Sequence, residues 1–240
     1  MEIFAHRGAS AHAPENTMAA FVEAYNQRAD GIELDIHSAA DGTFVVIHDD
    51  TLDLTTAGKG PVRDRSFEEI RRLDAGGWFD PRFSAERVPE LSEVLDLTAG
   101  RCLLNIEIKA SAFEAGYPAD AIEHQVVALV KTTGAEDRVI ISSFDWRILQ
   151  RIAAMDSPPA LALISDHGAD RSVIERLLAM KAFSWHPRFK VLTREQVDRM
   201  HAAGLKVFPW TINTREEAQR ILALGIDGLI CNELQVMRTV

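Results

Sequence analysis

Cysteine is nearly absent from this chain. Its 240 residues hold only Cys102 and Cys231, each inside an apolar run. That excludes a disulfide framework and a cysteine zinc site, and leaves two separate buried thiols. Long hydrophobic runs are missing too, since no stretch approaches the roughly 20 apolar residues that span a bilayer. The chain begins directly on EIFAH, without a signal-peptide pattern, so the expected compartment is the cytoplasm, with no stable membrane association. Positive charge is in deficit: 26 Lys and Arg face 36 Asp and Glu, a formal net charge of −10. That excess disfavours nucleic acid and anionic membranes as partners. It still allows a locally positive pocket, because a few Arg or Lys beside a bound cation dominate a small volume. With 47% hydrophobic and 26% charged residues, a globular core is expected, and a homo-oligomer stays open.

Short apolar runs alternate with helix-like stretches along the whole length. The runs are Ile3–His6, Gly31–Asp35, Phe44–His48, Cys102–Ile108, Val139–Ser143, Leu161–Ile164, Phe183–Trp185, Lys206–Trp210 and Gly228–Cys231. Between most of them lie amphipathic segments such as ENTMAAFVEAYNQRA, DAIEHQVVALVKTTG, DWRILQRIAAM and TREEAQRILALG. Asn16 or Thr17, Asp145, Asp170, Thr193 and Thr214 signal helix starts, and Gly134, Gly204 and Gly225 signal helix ends. Repeated strand–helix units of this length predict an α/β fold, the (β/α)8 TIM barrel. The runs exceed eight strands by one. Only a short stretch around Ala40-Asp41-Gly42 separates the second run from the third, which suits an antiparallel hairpin and not a parallel crossover. Phe44–His48 is therefore read as a return strand on Gly31–Ser38, bringing His48 beside Asp35. Residues 1–240 are expected to form a single domain, with a small insertion after the second barrel strand at about residues 49–100. Helices are expected there near Ser66–Leu73 and Leu91–Thr98.

Residues two apart in a strand share a face. In GIELDIH, Glu33 and Asp35 point one way and Ile32 and Leu34 the other. In LLNIEIK, Asn105, Glu107 and Lys109 share a face. Glu33, Asp35 and Glu107 lie near the carboxyl ends of their strands, where barrel active sites assemble. Three converging carboxylates repel one another and tolerate ionisation when a hard divalent cation sits between them. An all-oxygen donor set suits one Mg²⁺ or Ca²⁺ better than zinc; the alternative is a structural ion-pair layer with Lys109. His6 and His48 end apolar runs beside this cluster and read as a general acid and a general base. Arg7 and Lys109 supply fixed positive charge, and a guanidinium matches phosphate oxygens bidentately. The inventory suits a phosphodiester. His12, His37, His124, His167, His186 and His201 lack such company and read as surface or packing residues.

In order along the chain, HRGASAHAPENTMAAF, GIELDIHSAADGTFVVIHDDTLDLTTAGKGPV, LDAGGWF, LNIEIK, SSF and PWTIN resemble the glycerophosphodiester phosphodiesterase family, compact cytosolic bacterial type. The resemblance implies that His6 and His48 are the catalytic pair, that Glu33, Asp35 and Glu107 hold the metal, and that Arg7 and Lys109 bind phosphate. Phe144 and Trp210 lie at strand ends in matching positions, either to wall the glycerol or headgroup side or simply to pack the barrel top. Glu15 and Asn16 match the family's PENT turn, read as a helix start that braces the first loop. Two positions depart from the family pattern: Leu54 stands where an Arg is usual, and Cys231-Asn232 where Thr-Asp is usual. Both are expected to bear on substrate selectivity more than on catalysis.

The implied enzyme is a metal-dependent phosphodiesterase that cleaves a small-molecule glycerophosphodiester to glycerol 3-phosphate and an alcohol. The nucleophile is left open between water and the neighbouring glycerol hydroxyl. The alternative is a phospholipase D-like hydrolase of lysophospholipids or sphingolipids. That activity needs an apolar surface at the mouth, for which the insertion offers Trp78 and Phe79 but no long apolar loop. A binding protein that kept the barrel and lost turnover is disfavoured by the intact acid–base, metal and phosphate set. An amidohydrolase-type barrel is disfavoured by the absence of His-x-His on the first strand.

Overall fold

The computed structural model describes residues 1–118 and 121–240. The nine apolar runs form strands β1 (Glu2–His6), β2 (Gly31–Ser38), β3 (Phe44–Val46), β4 (Leu103–Ile108), β5 (Val139–Ser143), β6 (Ala160–Ser165), β7 (Ser184–Pro187), β8 (Lys206–Val207) and β9 (Gly228–Cys231). Eight of them pair in parallel in the order β8-β7-β6-β5-β4-β2-β1-β9, and β3 pairs antiparallel with β2 outside that path. Backbone bonds from Asp227 N to Val207 O and from Ile230 N to Pro209 O draw β9 to the β8 side. The result is the nearly closed parallel barrel that the strand–helix alternation predicts, with the expected hairpin. The hairpin ladder is shorter than the apolar run, ending at Val46; Ile47 N still donates to Asp35 O at 3.0 Å, and His48 leaves the ladder.

The helices are α1 (Met18–Asn26), α2 (Phe67–Arg71), α3 (Leu91–Thr98), α4 (Ile122–Thr132), α5 (Trp146–Ala153), α6 (Arg171–Ala179), α7 (Arg194–Ala202), α8 (Arg215–Leu222) and α9 (Leu234–Arg238). Thr17, Asp145, Asp170, Thr193 and Thr214 each accept a backbone N–H at a helix start, as their positions predict. Asp120, the first residue of the DAIEHQVVALVKTTG stretch, lies outside the described residues. Among the described residues no helix is long and apolar enough to cross a membrane.

Strand alternation divides the interior. Ile32, Leu34, Ile36, Leu104, Ile106 and Ile108 face outward into the layer between barrel and helices. Phe4, Ile140, Ala162, Phe208 and Ile230 form a separate apolar cluster, leaving His6, two residues beyond Phe4, above it. Residues 49–100 carry their own small core. Leu52, Val62, Ile70 and Val88 pack against Val45 and Ile47, while Phe44 and Val46 of the same strand belong to the main core. A period-2 strand buried on both sides thus anchors the insertion beside the mouth.

Beyond β1 the chain turns sharply, with φ +57° at Arg7 and +82° at Gly8. A Cβ at Gly8 would lie 2.7 Å from Ala20 of α1, so this turn needs both positive φ and a bare Cα. Gly42 in the hairpin turn has the same φ, +82°, but open space around its Cα. Gly8→Ala is therefore expected to destabilise by about 2–4 kcal/mol and Gly42→Ala by about 1 kcal/mol. Urea unfolding of both variants checks this, and equal losses would contradict the packing contribution at Gly8.

Candidate active site

β2 and β4 lie side by side in register, pairing Glu33 with Asn105 and Asp35 with Glu107. Two consecutive rungs therefore carry three carboxylates. Ligand oxygens of Glu33, Asp35 and Glu107 lie within 4.8 Å of one another, and all three residues are buried. Lys109, just past the end of β4, donates from Nζ to Asp35 Oδ1 at 2.5 Å and Glu107 Oε1 at 2.9 Å. Arg7 Nε lies 3.4 Å from Asp35 Oδ2, its NH1 donates to Glu15 Oε1 at 2.8 Å, and its backbone N–H donates to Glu33 Oε2 at 3.0 Å. The left-handed turn at Arg7 aims main chain and side chain at different carboxylates, a strained conformation held by its surroundings.

The three carboxyls respond differently to this crowding. Burial pushes Asp35 up, but Lys109 and Arg7 outweigh it and hold the group well below the usual carboxylate range. Burial, then the charges of Asp35 and Glu107, push Glu33 well above that range. Burial and Asp35 push Glu107 up to about 7, against the pull of Lys109. Lys109 stays firmly protonated, because Asp35 and Glu107 overcome its burial. An all-oxygen cluster with two carboxyls this reluctant to ionise fits a hard divalent cation. The Lys109 ammonium that spans Asp35 and Glu107 supplies part of that charge, so both expected readings, metal cluster and ion-pair layer, have a foothold in the same residues.

The two histidines stand on different partners. His6, the last residue of β1, hydrogen-bonds through Nδ1 to Asn232 Oδ1 at 2.7 Å, and its Nε2 lies 4.0 Å from Glu33 Oε2. Burial and then Arg7 push its pKa down to about 4. His48 hydrogen-bonds through Nδ1 to the Asp49 carboxylate at 2.8 Å, and its carbonyl accepts from His37 Nε2 at 3.1 Å. In both, an oxygen acceptor on Nδ1 fixes the tautomer and leaves Nε2 for the pocket.

His6, Arg7, Glu33, His48, Glu107, Lys109, Phe144 and Trp210 line one cavity of about 150 Å³. Asp35 does not reach its wall; it is 1% exposed, in contact with Arg7 and Lys109. Phe144 and Trp210 meet edge to face, with centroids 5.7 Å apart.

Several neighbours escape a one-dimensional reading. Asn232 was expected to bear on selectivity more than on catalysis, yet it bonds directly to His6; β9 lies beside β1, and that adjacency joins opposite ends of the chain. Leu54, the other departure, is 71% exposed and does not line the cavity. Asn16 does more than brace a loop: at φ +55° its Nδ2 donates to Asp35 Oδ2 at 2.9 Å. His186, read as a surface or packing residue, is 2% exposed and lines the cavity with Asn105. The alternation of Ser184, Trp185 and His186 was its available signal.

Residues 6–236 match the family model described as Glycerophosphoryl diester phosphodiesterase family. The chain belongs to this family. It is thus an enzyme, a phosphoric diester hydrolase. It is 40% identical over 239 residues to a glycerophosphodiester phosphodiesterase of Caldanaerobacter subterraneus, with 98% of this chain and 95% of the relative covered. A Bacillus altitudinis enzyme of the same name is 37% identical, covering 95% and 93%. Among solved structures, an Oleispira antarctica phosphodiesterase in complex with the product sn-glycerol-3-phosphate superposes with TM-score 0.90 at 29% identity, covering 100% of this chain and 96% of that one. A glycerophosphodiester phosphodiesterase from Agrobacterium tumefaciens gives 0.85 at 30% identity, with both chains fully covered (100% each).

The raised Glu107 pKa has a sign that can be checked. Between the ordinary glutamate value of 4.5 and about 7 the folded chain binds more protons than the unfolded chain at this group. Its contribution to stability therefore falls as pH rises through that window. With chelator present, E107Q is expected to melt above the unsubstituted enzyme at pH 8, and the gap should close below about pH 4.5. Scanning calorimetry across pH reads this; a gap independent of pH would contradict the crowding described for the cluster.

Proposed function

We propose that this enzyme hydrolyses glycerophosphodiesters to glycerol 3-phosphate and an alcohol, with one divalent cation and two histidines as acid and base. The observation that carries the reading is the meeting of a carboxylate cluster, two fixed cations and two oppositely partnered histidines around one small cavity. A neighbour of the same fold binds sn-glycerol-3-phosphate as its product, which fits the same chemistry. Mg²⁺ or Ca²⁺ held by Glu33, Asp35 and Glu107 would polarise the phosphoryl oxygens as a Lewis acid. Arg7 and Lys109 bind and orient the phosphate and offset charge that develops on its oxygens.

The proton bookkeeping follows from the Nδ1 partners. His6 leans on the neutral amide of Asn232, burial and then Arg7 hold its ring neutral against the pull of Asp35, and its Nε2 lone pair takes the proton of the attacking oxygen. In this division of roles His48 is the proton donor, with the Asp49 carboxylate accepting from its Nδ1 and orienting the ring. Its Nε2–H goes to the alcohol oxygen as the P–O bond to that alcohol breaks. Phe144 and Trp210 wall the organic part of the substrate. The exposed Trp78 and Leu54 do not line the cavity, so nothing favours a lipid aggregate over a water-soluble diester.

A turnover screen over glycerophosphocholine, -ethanolamine, -glycerol and -inositol, with Mg²⁺ and Ca²⁺ and after chelation, tests the assignment. Activity that survives chelation, or appears only on micellar lysophospholipid, would overturn it. His6→Ala and His48→Ala are each expected to lose about 10²- to 10⁴-fold on an alkyl diester. A p-nitrophenyl diester needs no proton on its leaving group, so His48→Ala should regain much of its rate there and His6→Ala should not. Equal rescue of both variants would reject the division of labour.

A further inference from the structure

The cavity floor holds polar groups that the proposed chemistry leaves unused. Asn105, on β4, is 0% exposed, and neither its Oδ1 nor its Nδ2 has a hydrogen-bond partner among the described residues. His186, at 2% exposure on β7, bonds through Nε2 to Ser184 Oγ at 2.9 Å, while its Nδ1 has no partner. Both residues line the cavity. An unpaired buried amide or imidazole nitrogen costs about 1–3 kcal/mol, so three such atoms on one cavity call for a hydrogen-bonding occupant. Burial holds His186 neutral, with its pKa pushed down to about 3. The floor is therefore uncharged and unlike the Arg7–Lys109 side. Its other walls include Ile164, Ile230 and the Trp210 ring, whose Nε1 is tied to His186 O at 2.9 Å. Neutral donors and acceptors with apolar walls suit carbon-bound hydroxyls. A volume of about 150 Å³ is small beside the typical ~300–1,000 Å³ ligand pocket, which limits the occupant to a short polyol.

We infer that Asn105 and His186 form a subsite for the hydroxyls of the glycerol half of the substrate, and that they set the preference for glycerol esters over plain alkyl esters. This rests on the glycerophosphodiester reading above. The leaving alcohol then faces the other way, into the more open recess around His48, Asp50 and Ser111.

The test compares glycerophosphocholine with propyl phosphocholine, which lacks both hydroxyls, in the metal-loaded enzyme and in Asn105→Leu and His186→Phe. The unsubstituted enzyme should favour the glycerol diester in kcat/KM, and each variant should lose about 10- to 100-fold on it while changing little on the propyl diester. Asn105 makes no internal hydrogen bond, so Asn105→Leu should also melt no lower than the parent. Calorimetric binding of sn-glycerol 3-phosphate against propyl phosphate gives a readout that does not need turnover. Failure of all turnover with the binding preference intact would overturn the function reading and keep the subsite. No binding preference in the parent, or equal losses on both ligands in the variants, would overturn the subsite and mark the floor as one that holds only water.

Discussion

Three carboxylates that face one another across two rungs of a buried ladder must be neutralised, and the barrel mouth is built around that need. At an effective dielectric near 20, two unit charges about 4 Å apart interact by about 4 kcal/mol. Arg7 answers with a left-handed backbone that gives Glu33 an N–H and brings the guanidinium to Asp35. Lys109 answers from the end of β4, bridging Asp35 and Glu107. Asn16 adds a neutral donor to Asp35 from the turn that opens α1. The first loop, the first helix start and the end of the fourth strand are thus fixed by one electrostatic problem. Gly8 permits the backbone to approach α1 closely enough for the rest to fit.

The histidines extend the same logic one layer outward. Both present Nε2, because an oxygen engages each Nδ1. One oxygen is an amide and the other a carboxylate, and that difference separates two otherwise equivalent imidazoles. His37 supports the second of them by donating to the His48 carbonyl, which ties the return strand to β2 after the ladder has ended. The insertion then holds this edge in place through Val45 and Ile47. Remote packing in residues 49–100 therefore bears on where His48 stands.

Period-2 alternation made much of this legible in one dimension. GIELDIH and LNIEIK announce which side chains share a face, and the short Ala40–Gly42 link allows only an antiparallel return. Helix caps at Thr17, Asp145, Asp170, Thr193 and Thr214 were equally plain, since each is a local hydrogen bond. What stayed hidden depends on register between strands distant in sequence. Nothing local to Asn232 says that it lies against His6, because only closure of the barrel joins β9 to β1. Nothing local to SWHP says that His186 lines the same cavity as Asn105. Asn16 was visible as a helix start, and its bond to Asp35 was not, because that bond spans the turn and the next strand.

The charge count at the pocket gives the cluster its functional sense. Glu33, Asp35 and Glu107 bring three negative charges, and Arg7 and Lys109 bring two positive ones. Glu15 on the Arg7 guanidinium brings a fourth negative charge, so the remainder is two negative charges, the same sign as a phosphodiester. The chain can relieve this by holding a proton on Glu33 or Glu107, as their raised pKa values express. One such proton still leaves a negative charge and two leave the pocket neutral, and neither gives an anion a reason to enter. A divalent cation at the same oxygens would cancel the remainder without spending a proton and would itself be a concentrated positive charge at the cavity wall. An enzyme with an overall charge of −10 would then offer a phosphodiester one favourable point on its surface. Such a field would be local, so on the proposed reading charge would locate the phosphate while the uncharged floor would distinguish what is attached to it.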